Sequence, residues 1–335
     1  MNKIFKILLI VVVAVVFAYL AGPKPEKPKL NNDLPVVSSD LAQLESQILD
    51  REKTYILKPD NQARFVWTND SSKVKTEYAL LYLHGFSACW YEGFPVNLDF
   101  ARHFGCNAYF PRLADHGLNT TEALADMTSD RLWESAKEAL MVACQLGEKV
   151  VIMSTSTGGT LALKLAAEFP ERIHGLILFS PNVKINNSMA WMLSKPWGLQ
   201  IARKNTGSNY RVWSEKWDSK DCQYWFCKYR LEGVVNLQVL VETLMKEEVF
   251  RKVNTPAFLG YYYKDEEHQD KTVRVDAALK MFDELGTPAA MKMKQAFPEA
   301  GDHCIASELY SKSVDEVRQA TFAFAEKTLG MKPIN

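Results

Sequence analysis

The sequence predicts an α/β fold: a mostly parallel sheet with helices on both faces and an inserted helical cap. Three features predict it. Short continuous apolar runs stop abruptly at turn residues: Ala79-Leu80-Leu81-Tyr82-Leu83 ends at His84-Gly85, and Val150-Val151-Ile152-Met153 ends at Ser154. Such runs read as strands buried on both faces, as in parallel sheets covered by helices. Residues 173–179 and 257–263 are further strand candidates, and stretches between them, such as 132–146 and 161–169, carry helical spacing. The third feature is a lapse of this alternation between Pro181 and Asn254.

The chain opens on Lys3 and Lys6, followed by an uninterrupted apolar run from Ile7 to Ala21 that Gly22-Pro23 closes. A core helix of this length would interrupt its apolar positions with polar ones. Residues 1–21 are therefore expected to be a membrane anchor or signal segment. Tyr19-Leu20-Ala21 supplies only one of the two small residues that a cleavage site wants, which favours retention as an anchor. With Ile4 and Phe5 counted and Lys6 snorkelling, the run approaches the roughly 17-residue lower limit of a spanning helix. Lys3 and Lys6 favour an inside N-terminus, although Lys24, Lys27 and Lys29 flank the other end. The body is thus expected on the exported side, periplasmic or extracellular.

Residues 22–39 hold four prolines and Asn31-Asn32 without apolar periodicity, so they read as an extended tether. Residues 40–335 form the main domain, with the cap inserted at about 182–254. Over the whole chain, 40 basic and 40 acidic side chains balance among 335 residues, of which 47% are hydrophobic. That composition excludes a disordered chain, and the missing basic excess argues against a nucleic-acid partner. The six cysteines are scattered and expected to be buried as small hydrophobes; Cys222 and Cys227 are the only pair close enough in sequence to suggest a disulfide. The six histidines show no metal-ligand spacing, and no catalytic metal is expected.

The cap segment holds five of the eight tryptophans, with Tyr210, Tyr224, Phe226 and Tyr229. Most of these rings are expected to pack the insertion onto the core, and one or two to line a pocket.

Ligands of open α/β sheets sit beyond the carboxyl ends of the strands, so the residues after each apolar run matter most. After 150–153 comes Ser154-Thr155-Ser156-Thr157-Gly158-Gly159, then a helix starting near Thr160. A serine on a sharp strand-to-helix turn projects its Oγ from the sheet edge, with the next N–H groups and the helix dipole facing a developing oxyanion. Strand and helix approach closely there, so small residues are needed two positions to either side. Gly158 meets that need, while Ser154 stands where the usual G-x-S-x-G pattern has glycine. The alternative reading is a Ser/Thr-rich loop that only caps the helix. Two more motifs accompany the turn: His84-Gly85-Phe86-Ser87 after a buried strand, and Gly301-Asp302-His303 after a strand candidate near 291–297.

The ordered set H-G-F-S, the loop from Asn107 to Gly117, S-T-S-T-G-G, Pro181, an acid-bearing loop and A-G-D-H resembles the α/β-hydrolase superfamily, more narrowly the monoacylglycerol lipase-like serine hydrolases. The resemblance covers about residues 78–328. It implies that Ser156 is the nucleophile, that His303 is the general base, and that the backbone N–H groups of Phe86 and Thr157 form the oxyanion hole. Arg112 to Gly117 is similar to the family's G-H-G loop, with Asp115 in place of the first glycine; His116 is read as capping, and His103 and His174 as packing residues.

The acid of the triad has two candidates. Counting forward from Pro256, the family's spacing lands on Asp265; counting back from the following helix, it lands on Asp270. The loop is about five residues longer than usual. Asp270 is favoured, because Asp270 to Val273 is the better local match.

These roles imply a carboxylic ester hydrolase with a Ser-His-Asp triad and no cofactor, a lipase or esterase acting on monoacylglycerol-like or other small acyl esters. The alternative within the same fold is a serine aminopeptidase, which needs an acid such as Glu232, Glu242, Glu247 or Glu248 to hold a substrate amine. A non-catalytic binding protein is the third class. The membrane is the one expected macromolecular partner, and no protein partner is legible.

Overall fold

The computed structural model describes residues 3–334; Met1 and Asn2, which begin the expected anchor segment, and Asn335 lie outside the described residues. In chain order the helices are α1 (Lys3–Leu20), α2 (Leu41–Lys53), α3 (Val96–His103), α4 (Ser129–Leu146), α5 (Thr157–Glu168), α6 (Gly198–Thr206), α7 (Lys220–Tyr224), α8 (Leu231–Leu244), α9 (Glu247–Phe250), α10 (Val275–Glu284) and α11 (Val314–Lys327). The strands are β1 (Arg64–Val66), β2 (Thr76–Leu83), β3 (Asn107–Phe110), β4 (Gly147–Thr155), β5 (Ile173–Phe179), β6 (Tyr210–Val212), β7 (Lys228–Arg230), β8 (Ala257–Tyr261) and β9 (Lys292–Ala296).

Seven strands form one sheet in the order β1-β3-β2-β4-β5-β8-β9. Only β1 runs antiparallel to its neighbour; the other pairs are parallel. The central strands alternate between two cores. Leu81, Ile152, Leu178 and Leu259 face the layer of α4, α5 and α10, whereas Tyr82, Met153, Phe179 and Phe258 face that of α3 and α11. This two-sided burial is the reason the strands read as unbroken apolar runs. Each fully buried Leu or Phe contributes about 1.5–3 kcal/mol.

Between β5 and β8 the chain leaves the sheet and builds α6, the two-stranded ribbon of β6 and β7, α7 and α8. α8 anchors this segment, with Leu237, Leu240 and Val241 buried in the same core as α4 and α5. The tryptophans depart from expectation. Trp191, Trp197, Trp213 and Trp217 are 54%, 38%, 40% and 53% exposed, and only Trp225 is buried. In α6 only Gly198 is buried, so this part of the insertion offers few side chains to cover these rings. The cysteines depart at one place. Cys222 and Cys227 form a disulfide across the end of α7, with Cα atoms 5.3 Å apart, while Cys89, Cys106 and Cys304 stay free and buried.

None of the residues of α1 is buried, and the helix is long and apolar enough to cross a membrane. The extended stretch after it lies along the body. The Asp130 carboxylate accepts from the N–H groups of Lys29 and Leu30 at 2.9 and 2.6 Å; Trp133 Nε1 and Lys137 Nζ donate to the carbonyls of Asn31 and Asp33, both at 2.6 Å. Leu30, Leu34 and Val37 pack on the core beside them.

Candidate active site

The loops that carry the candidate residues leave the carboxyl edge of the sheet after two pairs of neighbouring strands, β2 with β4 and β8 with β9, with β5 between the pairs. β2 and β4 are paired in parallel so that Leu83 stands opposite Ser154, which brings the H-G-F-S loop beside the serine turn. At that turn Ser156 has φ 54° and ψ −117°, a conformation that L-residues rarely adopt. Hydrogen bonds hold it there: Ser156 N–H donates to the Phe179 carbonyl at 3.0 Å, and its own carbonyl accepts from Gly159 and Asn182, both at 2.9 Å. Gly158 is needed for contact, since a Cβ there would lie 1.9 Å from the Leu83 carbonyl oxygen. Ser154 fits where glycine is usual because its Oγ donates to the Ile177 carbonyl at 3.3 Å.

The helix that follows, α5, has no capping side chain. The N–H of its first residue, Thr157, therefore meets no capping side chain and lies at the positive end of the helix dipole. Among the described residues neither the Thr157 N–H nor the Phe86 N–H has a hydrogen-bond acceptor.

His303 follows β9, and its Nδ1 lies 2.6 Å from Asp270 Oδ2. Asp270 is 1% exposed, and its other oxygen accepts the N–H groups of Thr272 and Val273 at 2.7 and 3.0 Å. With Nδ1–H committed to the carboxylate, Nε2 is the unprotonated end of the ring; it is buried and has no hydrogen-bond partner, Ser156 included. Burial presses the imidazole pKa down, but the charge and hydrogen bond of Asp270 outweigh it and hold the ring above its ordinary value.

Asp265 lies elsewhere. It is exposed, accepts from the N–H groups of Glu267 and His268, and pairs with the His268 ring at 2.8 Å. A bridge between Tyr263 and Gln269 pinches the loop shut, so residues 264–268 form an excursion that closes on itself before Asp270. That excursion accounts for the disagreement between the two ways of counting.

His84 and His116 are both buried and structural in their contacts. His84 Nε2 accepts the Leu113 N–H at 3.1 Å while Nδ1–H donates to the Gly85 carbonyl, which ties the H-G-F-S loop to the loop before Gly117. His116 Nδ1 donates to the Ala114 carbonyl at 2.8 Å, and burial takes its pKa down to about 4. Neither ring is charged at neutral pH. Glu92, fully buried beside this loop, is a site residue that the motifs do not mark; the one hint is a lone acid within the aromatic stretch Trp90-Tyr91-Glu92-Gly93-Phe94.

Solved structures share this arrangement of sheet and helices. A metagenome-derived lipolytic enzyme of the LipS and LipT pair superposes with a TM-score of 0.64 at 16% identity, over 81% of this chain and 99% of that one. The monoacylglycerol lipase of Paleococcus ferrophilus gives 0.55 at 14%, over 78% and 96%. A soluble variant of monoglyceride lipase from Saccharomyces cerevisiae, bound to a substrate analogue, gives 0.55 at 13%, over 80% and 90%. The family model described as serine aminopeptidase, S33, matches residues 127–285, a little under half of the chain. No curated protein matches significantly by sequence. The chain has the α/β-hydrolase fold.

Within this fold the segment between β5 and β8 packs against the loop after β2, beside the serine turn. The Phe226 N–H donates to the Ser87 carbonyl at 2.8 Å, just after Phe86. The Phe86 ring meets Tyr229 edge-on at 5.2 Å, and a Cβ on Gly233 would lie 2.8 Å from Leu124 Cβ and 3.5 Å from the Phe86 ring. Ser156 is 6% exposed beneath this apolar cover.

Proposed function

We propose that the chain is a serine hydrolase of carboxylic esters, acting on monoacylglycerol-like or other acyl esters through an acyl-enzyme on Ser156. One observation carries the reading: a buried His303–Asp270 pair at 2.6 Å, with an unpartnered Nε2, at the sheet edge where β4 ends in the Ser156 turn. His303 Nε2 takes the Ser156 proton as Oγ attacks the acyl carbonyl. The N–H groups of Phe86 and Thr157 receive the oxyanion, and His303 returns the proton to the departing alcohol. Water, deprotonated by the same nitrogen, then releases the acid and frees Ser156. The chemistry calls for no cofactor.

The family model's description favours a second reading, a serine aminopeptidase. Such an enzyme needs a free acid in a pocket for the substrate amine, yet three of the four cap candidates are ion-paired and the fourth, Glu248, is exposed to solvent. Glu232 pairs with Arg203 and Arg230, Glu242 with Lys195, and Glu247 with Arg251. A non-catalytic role is disfavoured too, because holding Ser156 in its rare backbone conformation costs about 1–3 kcal/mol that a binding scaffold has no need to bear.

The cover of Phe86, Leu124, Phe226 and Tyr229 suits an acyl chain. Each CH₂ buried there contributes about 0.8 kcal/mol, so four more methylenes are expected to raise kcat/KM by up to about two orders of magnitude while they fit. Across acetyl to palmitoyl p-nitrophenyl esters the expected optimum is of medium length, with all of these esters cleaved faster than alanyl or prolyl p-nitroanilides. Faster anilide cleavage would assign the peptidase class. An acetyl optimum would keep the esterase and remove the acyl pocket.

We further propose that residues 1–21 anchor the protein with its body outside the cytoplasmic membrane. The exposed apolar helix α1 and the Cys222–Cys227 disulfide, which persists in oxidising compartments, support this. At the end of α1, Trp197 Nε1 donates to the Ala18 carbonyl at 3.0 Å and its N–H to Pro23 at 2.8 Å, so the cap sits beside the helix exit. Protease added to intact spheroplasts is expected to degrade the body. Protection until lysis would place it on the cytoplasmic side.

A further inference from the structure

Glu92 is a buried acid inside the site that the reaction as drawn does not use. It lies in the short turn 90–93 that follows the H-G-F-S loop, and it is 2% exposed. Its Oε2 accepts the N–H of Gly85, the residue before Phe86. Its Oε1 lies 3.8 Å from the Sγ of Cys304, the residue after His303. The point where a Gly85 side chain would begin is 2.7 Å from Glu92 Oε1 and 3.0 Å from Ser156 Cβ. Carboxylate, oxyanion loop and nucleophile thus meet across one glycine. The same stretch is stitched to the loop after His303: Pro95 bridges Ser307, and the Phe94 carbonyl accepts the Glu308 N–H at 2.9 Å.

A carboxylate is a costly way to hold one N–H in a dry site, where a neutral acceptor would serve. Its charge has a target. Glu92 acts with Asp270 and Asp302 in holding the His303 proton affinity up. The other titratable groups facing it are Tyr82 on β2, Cys89 on its own turn and Cys304; burial pushes all three up, Cys89 to about 12, so all are neutral at pH 7. The buried indole of Trp225 in the cap also lies near it. His303 is therefore the one partner whose charge changes during the reaction. Burial brings Glu92 itself to about 7, with His303 and the Gly85 N–H favouring its ionised form.

Resting on the ester-hydrolase reading, we propose that Glu92 is a positioning residue: it holds the Gly85-Phe86 backbone in line with the oxyanion and, as a second carboxylate facing His303, stabilises the imidazolium of the transition state. The test is the full chain, assayed on a p-nitrophenyl ester from about pH 5 to 9. Glu92→Gln keeps an oxygen for the Gly85 N–H and removes the charge. Its acid limb of kcat/KM is expected lower by up to about half a unit, because Glu92 is itself partly protonated along that limb, with kcat down about tenfold. Glu92→Leu removes the acceptor too and is expected to lose about 100-fold in kcat, with KM within about threefold. Glu92→Asp, which keeps the charge on a shorter stem, is expected to lose kcat but retain the native limb.

An unmoved limb in Glu92→Gln overturns the proposal whatever Glu92→Leu does, because support of the fold alone leaves that limb in place. If melting curves show Glu92→Gln to be unfolded, Glu92→Asp decides, and a lowered limb there overturns it. Failure of the underlying reading looks different: the unsubstituted chain would then hydrolyse no ester and would not react with a fluorophosphonate at Ser156.

Discussion

Ser156→Ala is expected to abolish fluorophosphonate labelling of the chain and to lower kcat on its best ester by about 10⁴- to 10⁶-fold. The expectation follows from the turn. Ser156 is held at φ 54° between β4 and α5, and its backbone is fixed by Phe179, Gly159 and Asn182, so its Cα–Cβ bond has one direction in which to project. Alanine keeps that backbone and removes only the oxygen. The residual rate should therefore report the oxyanion donors and substrate binding alone. Intact mass after labelling is the measurement: one phosphonyl adduct on the native chain and none on Ser156→Ala. An adduct that survives the substitution would falsify the assignment, since it would have to sit on another serine.

Asp270→Asn is expected to lower kcat by about 10⁴-fold, and Asp265→Asn by less than about threefold. Asp270 fixes the tautomer of His303 by taking its Nδ1–H, and it faces the positive charge that the ring acquires. An asparagine oxygen and amide cannot reproduce both. The N–H groups of Thr272 and Val273 would hold the amide oxygen and turn its NH₂ toward Nδ1, which reverses the tautomer. The pH dependence has a definite sign. The folded pKa of His303 lies above its ordinary value, so activity falls as pH drops through that raised pKa and Nε2 becomes protonated. Without the Asp270 charge, the limb that remains should lie at lower pH. Equal melting temperatures for the two variants would show that both fold. Collapse of activity in Asp265→Asn instead would return the role to the residue counted forward from Pro256.

The sheet was legible because burial on both faces writes itself as unbroken apolar runs, and every residue of 79–83 and 150–153 is buried. The site was legible where it depends on turns. Glycine marks two of them: at 158 the Leu83 backbone leaves no room for a Cβ, and at 301 φ turns positive. The acid was ambiguous for a non-local reason: the Tyr263–Gln269 bridge that loops out 264–268 joins residues whose types do not declare a pairing. Glu92 was illegible because its role is set by three partners, Gly85, His303 and Cys304, that the fold alone brings together. The docking of 29–33 onto α4 was hidden likewise, since it runs through backbone groups, which every sequence has. Aromatic composition misled in the cap, where a Trp-rich segment leaves four of its five indoles in solvent.

On the proposed role of Ser156, its backbone makes durability and chemistry compete at a single position. Its φ and ψ suit glycine, and an L-residue held there costs the folded chain about 1–3 kcal/mol. That is a sizeable share of the roughly 5–15 kcal/mol that separates a typical domain from its unfolded state. A lineage released from the need for catalysis would gain persistence by drifting to glycine at 156, and one that keeps the serine must hold a compensating reserve in the packing of β4 and α5. Substitutions that thin out that packing, far from any substrate, therefore fall on a chain with less slack than its size suggests.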